Sequence, residues 1–388
     1  MTPDPAPVPL REFVLKLAGR CNLACTYCYV YTGADQSWRW RTQRMPLDTV
    51  ARVGQRIAAH AQQHGLDRVR VVLHGGEPLL YGAAGLDAAG DLLRGSLPGS
   101  VELDLTMQTN GVLLDEEILA VAHRHRIRIG VSVDGEEATH DRHRVRPDGR
   151  GSYASVRQAL ELLTRERHRA LFAGVLTVVD PAADPVATYE SLLGFGPPAI
   201  DFLLPHGHWG SPPPSGGAGA SGTPYGDWLV AVFERWYGAP RQECEVRVLT
   251  GVVDSLLGGF SRTEQIGLSP VAHVVVDTDG SLQQTDALKL SYPGAPETGL
   301  DVFRHSFEDV LRSPQIAGRQ AGVAGLAEQC RRCPVLAGCG GGHYAHRFRP
   351  GHGYRNPSVY CPDLYHLVQH VARRLGADLA RLEQAGSA

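Results

Sequence analysis

The sequence predicts an α/β fold in which strands and helices alternate around a parallel sheet, either open or closed into a partial barrel. Three observations predict it. β-type runs recur through the first half of the 388-residue chain, plausible helices separate them, and polar or glycine-rich motifs follow four consecutive strands. A hydrophobic content of 43% supplies ample apolar side chains for the core of such a sheet.

Six runs rich in β-branched and aliphatic residues have the length and composition of strands. They span residues 12–18, 69–74, 101–108, 127–133, 171–179 and 199–204. Helices are expected between them, near residues 46–64, 84–94, 115–125, 153–167 and 185–194. The helix near 115–125 opens with acidic residues and closes with basic ones, as the helix dipole favours.

Four motifs follow the first four strands. The cysteine loop "RCNLACTYCYVY" (20–31) comes after the first, "HGGEP" (74–78) ends the second, "QTNG" (108–111) the third and "SVDG" (132–135) the fourth. Because ligands of such sheets bind at the carboxyl ends of the strands, the four motifs should converge on one active site.

The second half of the chain has a different pattern. Residues 206–224 are a low-complexity connector, and a helix is expected at 225–238. Residues 271–286 read as a β-hairpin that turns at Asp279-Gly280, and residues 363–384 as an amphipathic helix.

Composition excludes several classes of function. Lysine and arginine number 38 against 41 acidic residues, which gives no electrostatic case for nucleic acid or an anionic membrane. No apolar run approaches the roughly 20 residues that span a bilayer, and the proline-rich start lacks the features of a signal peptide. A cytoplasmic protein is therefore expected.

Seven of the eight cysteines lie in two groups, which in a reducing compartment are interpreted as metal ligands. Cys244 stands alone and is expected to be a small buried hydrophobic residue. In the first group, Cys21, Cys25 and Cys28 have C-x3-C-x2-C spacing. Three thiolates can hold three corners of a [4Fe–4S] cluster and leave one iron open for chemistry, whereas a structural zinc site is the alternative.

The C-x3-C-x2-C loop and the three motifs after it resemble the radical S-adenosylmethionine (SAM) superfamily. The resemblance implies that SAM chelates the open iron and is cleaved to a 5′-deoxyadenosyl radical that abstracts hydrogen from a substrate. It also implies the SAM contacts: the amino group at the "GGEP" motif, the ribose and carboxylate near the ends of the third and fourth strands, and the adenine beside an aromatic residue. The residues at these positions are Gly75, Gly76, Glu77, Asn110, Ser132, Asp134 and Tyr27.

Simpler roles remain open for some of these residues. Asn110, Ser132 and Asp134 could serve only to form turns or caps. The basic segment 140–153 could guide an acidic leader peptide or SAM's carboxylate, with Arg144 the best single candidate, or be a solvated loop.

The second cysteine group provides four ligands, so a cluster held there would be saturated. A zinc ribbon usually pairs two C-x2-C knuckles and only one is present, which favours iron–sulfur. The pattern resembles the SPASM extension of radical SAM enzymes, but Thr285 and His343 stand where that family has cysteines. One auxiliary [4Fe–4S] cluster, and two clusters in total, are therefore expected, with the auxiliary ligands Cys330, Cys333, Cys339 and Cys361.

Asp286 directly follows Thr285. Resemblance to sulfatase-maturating enzymes implies that it is the catalytic base that takes a substrate proton, and a solvated hairpin residue is the alternative. The hairpin and the segment from Cys339 to Cys361 resemble the FxsB branch of SPASM proteins, which forms cyclophanes in ribosomally synthesised peptides.

The resemblance implies a function and a domain organisation. The enzyme would abstract a Cβ hydrogen from a precursor peptide and form a C–C crosslink to an aromatic side chain, with a flavodoxin or ferredoxin as electron donor. Thioether formation, epimerisation and sulfatase-type maturation are alternatives, as is a non-catalytic metal-binding module. The expected regions are a radical SAM partial barrel (1–205), a connector with bridging helices (206–265) and a SPASM-like cluster domain with a C-terminal helix (266–388).

Overall fold

The computed structural model describes residues 7–214 and 222–386. Residues 215–221 of the predicted connector lie outside the described residues, so that part of the prediction stays open. In the part of the chain that is described, no helix is long and apolar enough to cross a membrane.

The first seven strands are parallel neighbours in the sheet, and the last three form an antiparallel meander. They are β1 (Glu12–Ala18), β2 (Arg68–Gly75), β3 (Glu102–Thr109), β4 (Arg128–Ser132), β5 (Phe172–Val178), β6 (Ala199–Leu203), β7 (Glu245–Val246), β8 (His273–Val276), β9 (Ser281–Gln283) and β10 (Glu297–Asp301).

The helices fall mostly between the strands and at the C-terminus. They are α1 (Tyr29–Thr32), α2 (Leu47–Gln63), α3 (Ala83–Ser96), α4 (Glu116–His125), α5 (Glu137–His143), α6 (Tyr153–Leu163), α7 (Pro185–Leu193), α8 (Pro224–Tyr237), α9 (Arg247–Leu256), α10 (Phe307–Leu311), α11 (Pro314–Gln320), α12 (Glu328–Arg331), α13 (Leu336–Cys339) and α14 (Cys361–Gly386).

All the strands above belong to one sheet, in the order β10-β9-β8-β1-β2-β3-β4-β5-β6-β7. Strands β1 to β7 pair in parallel, and β8 pairs in parallel with the other side of β1. The predicted parallel α/β sheet is therefore confirmed, and β8, β9 and β10 extend it with antiparallel pairs. The sequence did not reveal β7 and β10, because β7 has only two residues and β10, "ETGLD", has no apolar run.

The sheet is curved. Six of its strands, β1, β2, β3, β5, β6 and β8, contribute residues to the lining of one cavity of about 710 Å³. A flat sheet could not surround a cavity in this way, so the strands form a partial barrel. The valines and leucines that the strands contribute to the lining are Val14, Val72, Leu176, Leu203 and Val275.

Helices cover the outer face of the sheet. Helix α2 shows how the sequence selects this arrangement, because its buried residues Val50, Val53, Ile57 and Ala61 recur every three or four positions. That spacing places them on one side of the helix, against the strands.

The C-terminal helix α14 packs on α8. Asp363, in the first turn of α14, accepts hydrogen bonds from the backbone N–H groups of Tyr225 (2.9 Å) and Gly226 (3.0 Å). These amides lie in the first turn of α8, where backbone N–H groups have no carbonyl acceptor within the helix. A Cβ at Gly226 would lie 2.7 Å from the Asp363 carbonyl oxygen, so glycine permits this close approach. The contact ties the end of the chain to its middle.

Candidate active site

The cysteine loop leaves the carboxyl end of β1 and carries three free, half-buried thiols. Burial raises the pKa of Cys21 to about 12 and also raises the pKa values of Cys25 and Cys28. Such thiols stay protonated at neutral pH unless a bound metal takes the place of the proton. They fit metal ligands better than free nucleophiles.

The spacing of the sulfur atoms distinguishes a cluster from a single ion. Four thiolates around one Zn²⁺ lie roughly 3.8 Å apart, as Zn–S bonds of about 2.3 Å require. Among the described residues, which include every cysteine, no three cysteine sulfurs lie within 4.8 Å of one another. This spacing leaves room for a cluster at both cysteine groups.

The glycines of "GGEP" bring the cysteine loop against the end of β2. A Cβ at Gly76 would lie 2.4 Å from the carbonyl oxygen of Arg20 and 1.7 Å from the hydroxyl of Tyr31. A Cβ at Gly75 would lie 2.3 Å from the Ala18 carbonyl oxygen. The close approach is thus between segments of the chain itself, and it fixes the position of the loop.

Glu77 is fully buried, and burial raises the pKa of its carboxyl group. Its carboxylate accepts hydrogen bonds from the backbone N–H groups of Leu79 (3.0 Å) and Asn110 (2.8 Å) and from the hydroxyl of Thr109 (2.6 Å). Glu77 therefore joins the ends of β2 and β3. Its contact with the SAM amino group stays a prediction.

Asn110 and Ser132 lie at the ends of β3 and β4. The Asn110 side chain donates to Oδ1 of Asn22 in the cysteine loop (2.8 Å) and accepts from the backbone N–H of Val112 (3.0 Å). The second bond is the turn-forming role that the sequence left open. The Ser132 hydroxyl accepts from the Gln108 amide (3.0 Å).

Tyr27, Asp134 and Arg144 form a buried chain of hydrogen bonds. The Tyr27 hydroxyl donates to Oδ2 of Asp134 and accepts from Nη1 of Arg144 (2.7 Å). Arg144 is only 7% exposed, and its charge offsets part of the rise that burial causes in the pKa of Cys25. The solvated-loop interpretation therefore does not hold for this residue. Its Nε is buried without a hydrogen-bond partner. A guanidinium group with a free donor beside the cysteine loop fits the carboxylate of SAM.

Asp286 begins a 3₁₀ turn after β9 and lines the cavity together with Tyr29. It is only 6% exposed, which excludes the solvated-hairpin alternative. Its Oδ1 accepts a hydrogen bond from Nζ of Lys16 at 3.1 Å and lies 3.9 Å from Nζ of Lys289. Tyr29 belongs to the cysteine loop, so Asp286 lies in the cavity wall next to that loop.

The sequence did not predict that Lys16 and Lys289 belong to the site. Lys16 interrupts the apolar strand "EFVLKLA", which is the only signal that could have found it. Both lysines are buried, and each also bonds another carboxylate, Asp277 for Lys16 (3.4 Å) and Asp35 for Lys289 (3.4 Å). Although burial acts in the opposite direction, the Lys16 charge lowers the pKa of Asp277 to about 2. The pKa of Asp35 is also lowered despite its burial, by hydrogen bonds from Ser37 and Gly294 and by the Lys289 charge.

The second cysteine group lines a separate cavity of about 690 Å³, whose wall includes Val335 and Val359. Arg347 donates hydrogen bonds to the carbonyl oxygens of the three glycines that follow the third cysteine. Burial raises the pKa of Cys330, and the charge of Arg347 offsets part of that rise. The four thiols and the guanidinium group suit a buried, saturated cluster. The cysteines are Cys330, Cys333, Cys339 and Cys361.

Three histidines meet at the upper wall of the larger cavity. Nδ1 of His206 lies 2.9 Å from Nε2 of His346, and His343 completes a group whose ligand atoms lie within 4.8 Å of one another. The ring of Tyr29 contacts His206 edge-on at 4.5 Å. The sequence did not predict this group, because His206 lies more than a hundred residues before His343 and His346. Cys244, by contrast, is buried in the core as predicted.

Residues 15–181 match the family model described as the Radical SAM superfamily. The serine-type anaerobic sulfatase-maturating enzyme of Klebsiella aerogenes is 26% identical over 358 residues, which cover 88% of this chain and 81% of that protein. The enzyme of the same type from Bacteroides thetaiotaomicron is 25% identical, with 94% and 90% of the two chains covered.

Solved structures show the same fold. The structure of native anSMEcpe with bound AdoMet has a TM-score of 0.79 at 20% identity and covers 95% of this chain and 99% of its own. The same protein with AdoMet and the Kp18Cys peptide gives a TM-score of 0.79 at 19% identity, again over 95% and 99% of the two chains. Streptococcus suis SuiB bound to the precursor peptide SuiA gives 0.58 at 14% identity, over 91% and 76%.

Proposed function

We propose that this protein, a radical SAM enzyme whose cofactors are a [4Fe–4S] cluster and SAM, removes a hydrogen atom from the β-carbon of a side chain in a peptide or protein substrate. The observation that carries the proposal is the position of Asp286. A buried carboxylate, oriented by Lys16, lies in the cavity wall together with Tyr29 of the cysteine loop. A base at this position can take the proton that the oxidised substrate has to lose.

The cysteine loop and the strand ends hold the cofactors in this proposal. Cys21, Cys25 and Cys28 ligate the cluster, and Arg144 and Tyr27 orient SAM with the help of the residues at the ends of β2, β3 and β4. When bound, SAM and the cluster supply the 5′-deoxyadenosyl radical that abstracts hydrogen. Leu176, Leu203 and Val275 give the cavity an apolar wall that limits the access of water.

The relatives best support a reaction of the sulfatase-maturation type, in which a serine side chain is converted to an aldehyde. Loss of a hydrogen atom from the serine Cβ leaves a carbon radical that bears a hydroxyl group. The hydroxyl proton passes to Asp286 and one electron leaves, which gives the aldehyde with a net loss of two hydrogens. Cys330, Cys333, Cys339 and Cys361 would hold the auxiliary [4Fe–4S] cluster that accepts this electron.

Cyclophane formation is the second candidate. It is favoured by the resemblance of the hairpin and the tail to the FxsB branch, and by Thr285 and His343 at positions where SPASM proteins have cysteines. Here the carbon radical adds to an aromatic ring of the same peptide, and the ring then loses one electron to the auxiliary cluster and one proton to Asp286. The net change is again the loss of two hydrogens.

A polypeptide is the proposed partner, because the anSMEcpe and SuiB structures with the same fold hold peptides. The cavity of about 710 Å³ can take one or two side chains but not a folded domain. The substrate segment must therefore reach the carboxyl ends of the strands in an extended form. A flavodoxin or ferredoxin is the proposed electron donor.

Three measurements on one reaction test the proposal. The reconstituted enzyme is incubated with dithionite, SAM and peptides that contain serine and aromatic residues labelled with deuterium at Cβ. We expect deuterium in 5′-deoxyadenosine and a peptide that has lost one hydrogen and one deuterium. A hydrazide probe that captures the product identifies an aldehyde, whereas an unreactive product that resists fragmentation between two residues identifies a crosslink. Deuterium-free 5′-deoxyadenosine with an unchanged peptide would overturn the proposal.

A further inference from the structure

Two histidines at the C-terminal end of α2 share one acidic partner on α10, near the amino end of β1, whereas the cysteine loop follows the carboxyl end of that strand. His60 lies in the last turn of α2 and His64 directly follows the helix, four residues later. Nδ1 of His60 lies 2.6 Å from Oε1 of Glu308, and Nε2 of His64 lies 2.9 Å from the same oxygen. The two imidazole rings are 4.6 Å apart. Two histidines at i and i+4 on one helix face, joined by a carboxylate, are a common donor set for zinc.

The second ring nitrogen of His60 is also held. His60 Nε2 lies 3.1 Å from the backbone carbonyl oxygen of Leu10, which can only accept a hydrogen bond. The proton of the neutral ring therefore sits on Nε2, and the lone pair of Nδ1 points at Glu308 Oε1. A lone pair and a carboxylate oxygen at 2.6 Å repel each other unless a proton or a metal cation lies between them. Bonding of the remote N–H to a backbone carbonyl is also the usual arrangement of a metal-bound histidine.

The burial of the three side chains fits a site with one open position. The His60 side chain is 1% exposed, while His64 and Glu308 are 23% and 16% exposed. Ligand atoms around a tetrahedral Zn²⁺ lie roughly 3.3 Å apart, as bonds of about 2.0 Å require. The Glu308 oxygen now lies 2.6 and 2.9 Å from the two histidine nitrogens. Because its carboxylate is on the solvent side, it can move outward by the fraction of an ångström that separates these distances from those around a bound Zn²⁺.

The other histidine group of the protein is a weaker donor set. Nδ1 of His343 accepts a hydrogen bond from the backbone N–H of Ala345 at 3.1 Å, so the proton of the neutral ring occupies its Nε2. His206 and His346 share another proton in their contact of 2.9 Å. A metal ion there would have to break both hydrogen bonds, whereas at His60 it would leave the hydrogen bond to the Leu10 carbonyl intact.

We propose that His60, His64 and Glu308 bind a divalent transition-metal ion, with Zn²⁺ as the best match, that links α2 to α10 and leaves a fourth position for water. This site lies apart from the cysteine loop, beside Leu10 at the start of β1. Its role is structural: the metal ties the first long helix of the barrel to the C-terminal part of the chain.

The test uses the full-length protein with its clusters reconstituted. Zn²⁺ is added in excess and removed by desalting, bound zinc and iron are counted, and the zinc ligands are identified by X-ray absorption. We expect about one zinc per chain with only nitrogen and oxygen neighbours near roughly 2.0 Å and no sulfur near roughly 2.3 Å. His64→Ala and Glu308→Gln should each lower the bound zinc at least fivefold, with unchanged iron content and SAM cleavage.

Two control variants make the result specific. His352→Ala changes an exposed histidine far along the chain, and His206→Ala disrupts the other histidine group; both should retain the zinc. Zinc with sulfur neighbours, zinc lost in His206→Ala but kept in His64→Ala, or no retained zinc would each overturn the proposal. In the last case a protonated imidazole bonded to Glu308 accounts for the geometry.

Discussion

Replacement of Asp286 by asparagine separates the two halves of the proposed reaction. The amide has the size of the carboxylate, and its oxygen can still accept the hydrogen bond from Lys16, which is 3.1 Å in the native protein. The buried turn should therefore keep its structure. The amide cannot take a proton, however, so hydrogen abstraction should continue while the oxidised substrate fails to lose its proton.

The size of the effect follows from the role of the residue. A positioned general base contributes about 10²- to 10⁴-fold to the rate of the step that it serves. We expect 5′-deoxyadenosine formation within a few-fold of the native rate, and a drop of at least about 100-fold in peptide product per 5′-deoxyadenosine. Liquid chromatography of the nucleoside and mass spectrometry of the peptide, from the same samples, give this ratio directly.

Asp277→Asn is the matched control. Asp277 is also buried and also bonds Lys16, at 3.4 Å, but among the described residues that line the cavity Asp286 is present and Asp277 is not. Both variants remove one negative charge from the same lysine, and only Asp286→Asn should uncouple the reaction. Native product ratios in Asp286→Asn, or equal losses in the two variants, would refute the assignment of Asp286 as the base.

Three further predictions follow from the site and its surroundings. Cys333→Ser should lower the iron content from about eight to about four per chain and abolish product while SAM cleavage continues, as iron analysis and nucleoside assays can show. Gly76→Ala should cost about 1–3 kcal/mol or more in stability, seen as a lower melting temperature of the reconstituted protein, because the new Cβ would lie 2.4 Å from the Arg20 carbonyl oxygen. The folded-state pKa of Asp277, about 2, lies below the unfolded value of about 3.9, so its contribution of roughly 2 kcal/mol is present above pH 4 and is lost as the pH falls towards 2. The stability difference between the native protein and Asp277→Asn in urea unfolding should therefore shrink between pH 5 and pH 3, and a constant difference would contradict this.

The six main strands were predictable because each is a run of aliphatic residues whose burial needs no distant information. The structure places β1 at Glu12–Ala18, which are the limits expected from the sequence. Strand β7 could not be predicted in this way, since two residues carry no periodic signal. It exists because β6 offers an unpaired edge.

The candidate site likewise contains local motifs, which the sequence shows, and long-range contacts, which only the folded chain creates. The cysteine loop and the "GGEP" segment are local motifs, and their spacing is visible in the chain. The partner of Asp286 is not visible, because Lys16 lies 270 positions earlier and only the folded sheet brings the two together. A lone lysine in an apolar strand indicates that a buried partner is needed, but it does not say which carboxylate supplies it.

The register of the C-terminal hairpin on β1 places the base. Leu15 of β1 pairs with Val276 of β8, so the next residues in the two strands, Lys16 and Asp277, come side by side and form their ion pair at 3.4 Å. Because side chains alternate between the two faces of a strand, a slip by one residue would turn Asp277 away and leave the Lys16 charge buried without this partner. Loss of one partner of a buried ion pair costs about 3–5 kcal/mol, which is large against the stability of a domain. The ion pair that fixes the register of β8 thus also fixes the position of the turn after β9, and with it the distance of Asp286 from the cysteine loop.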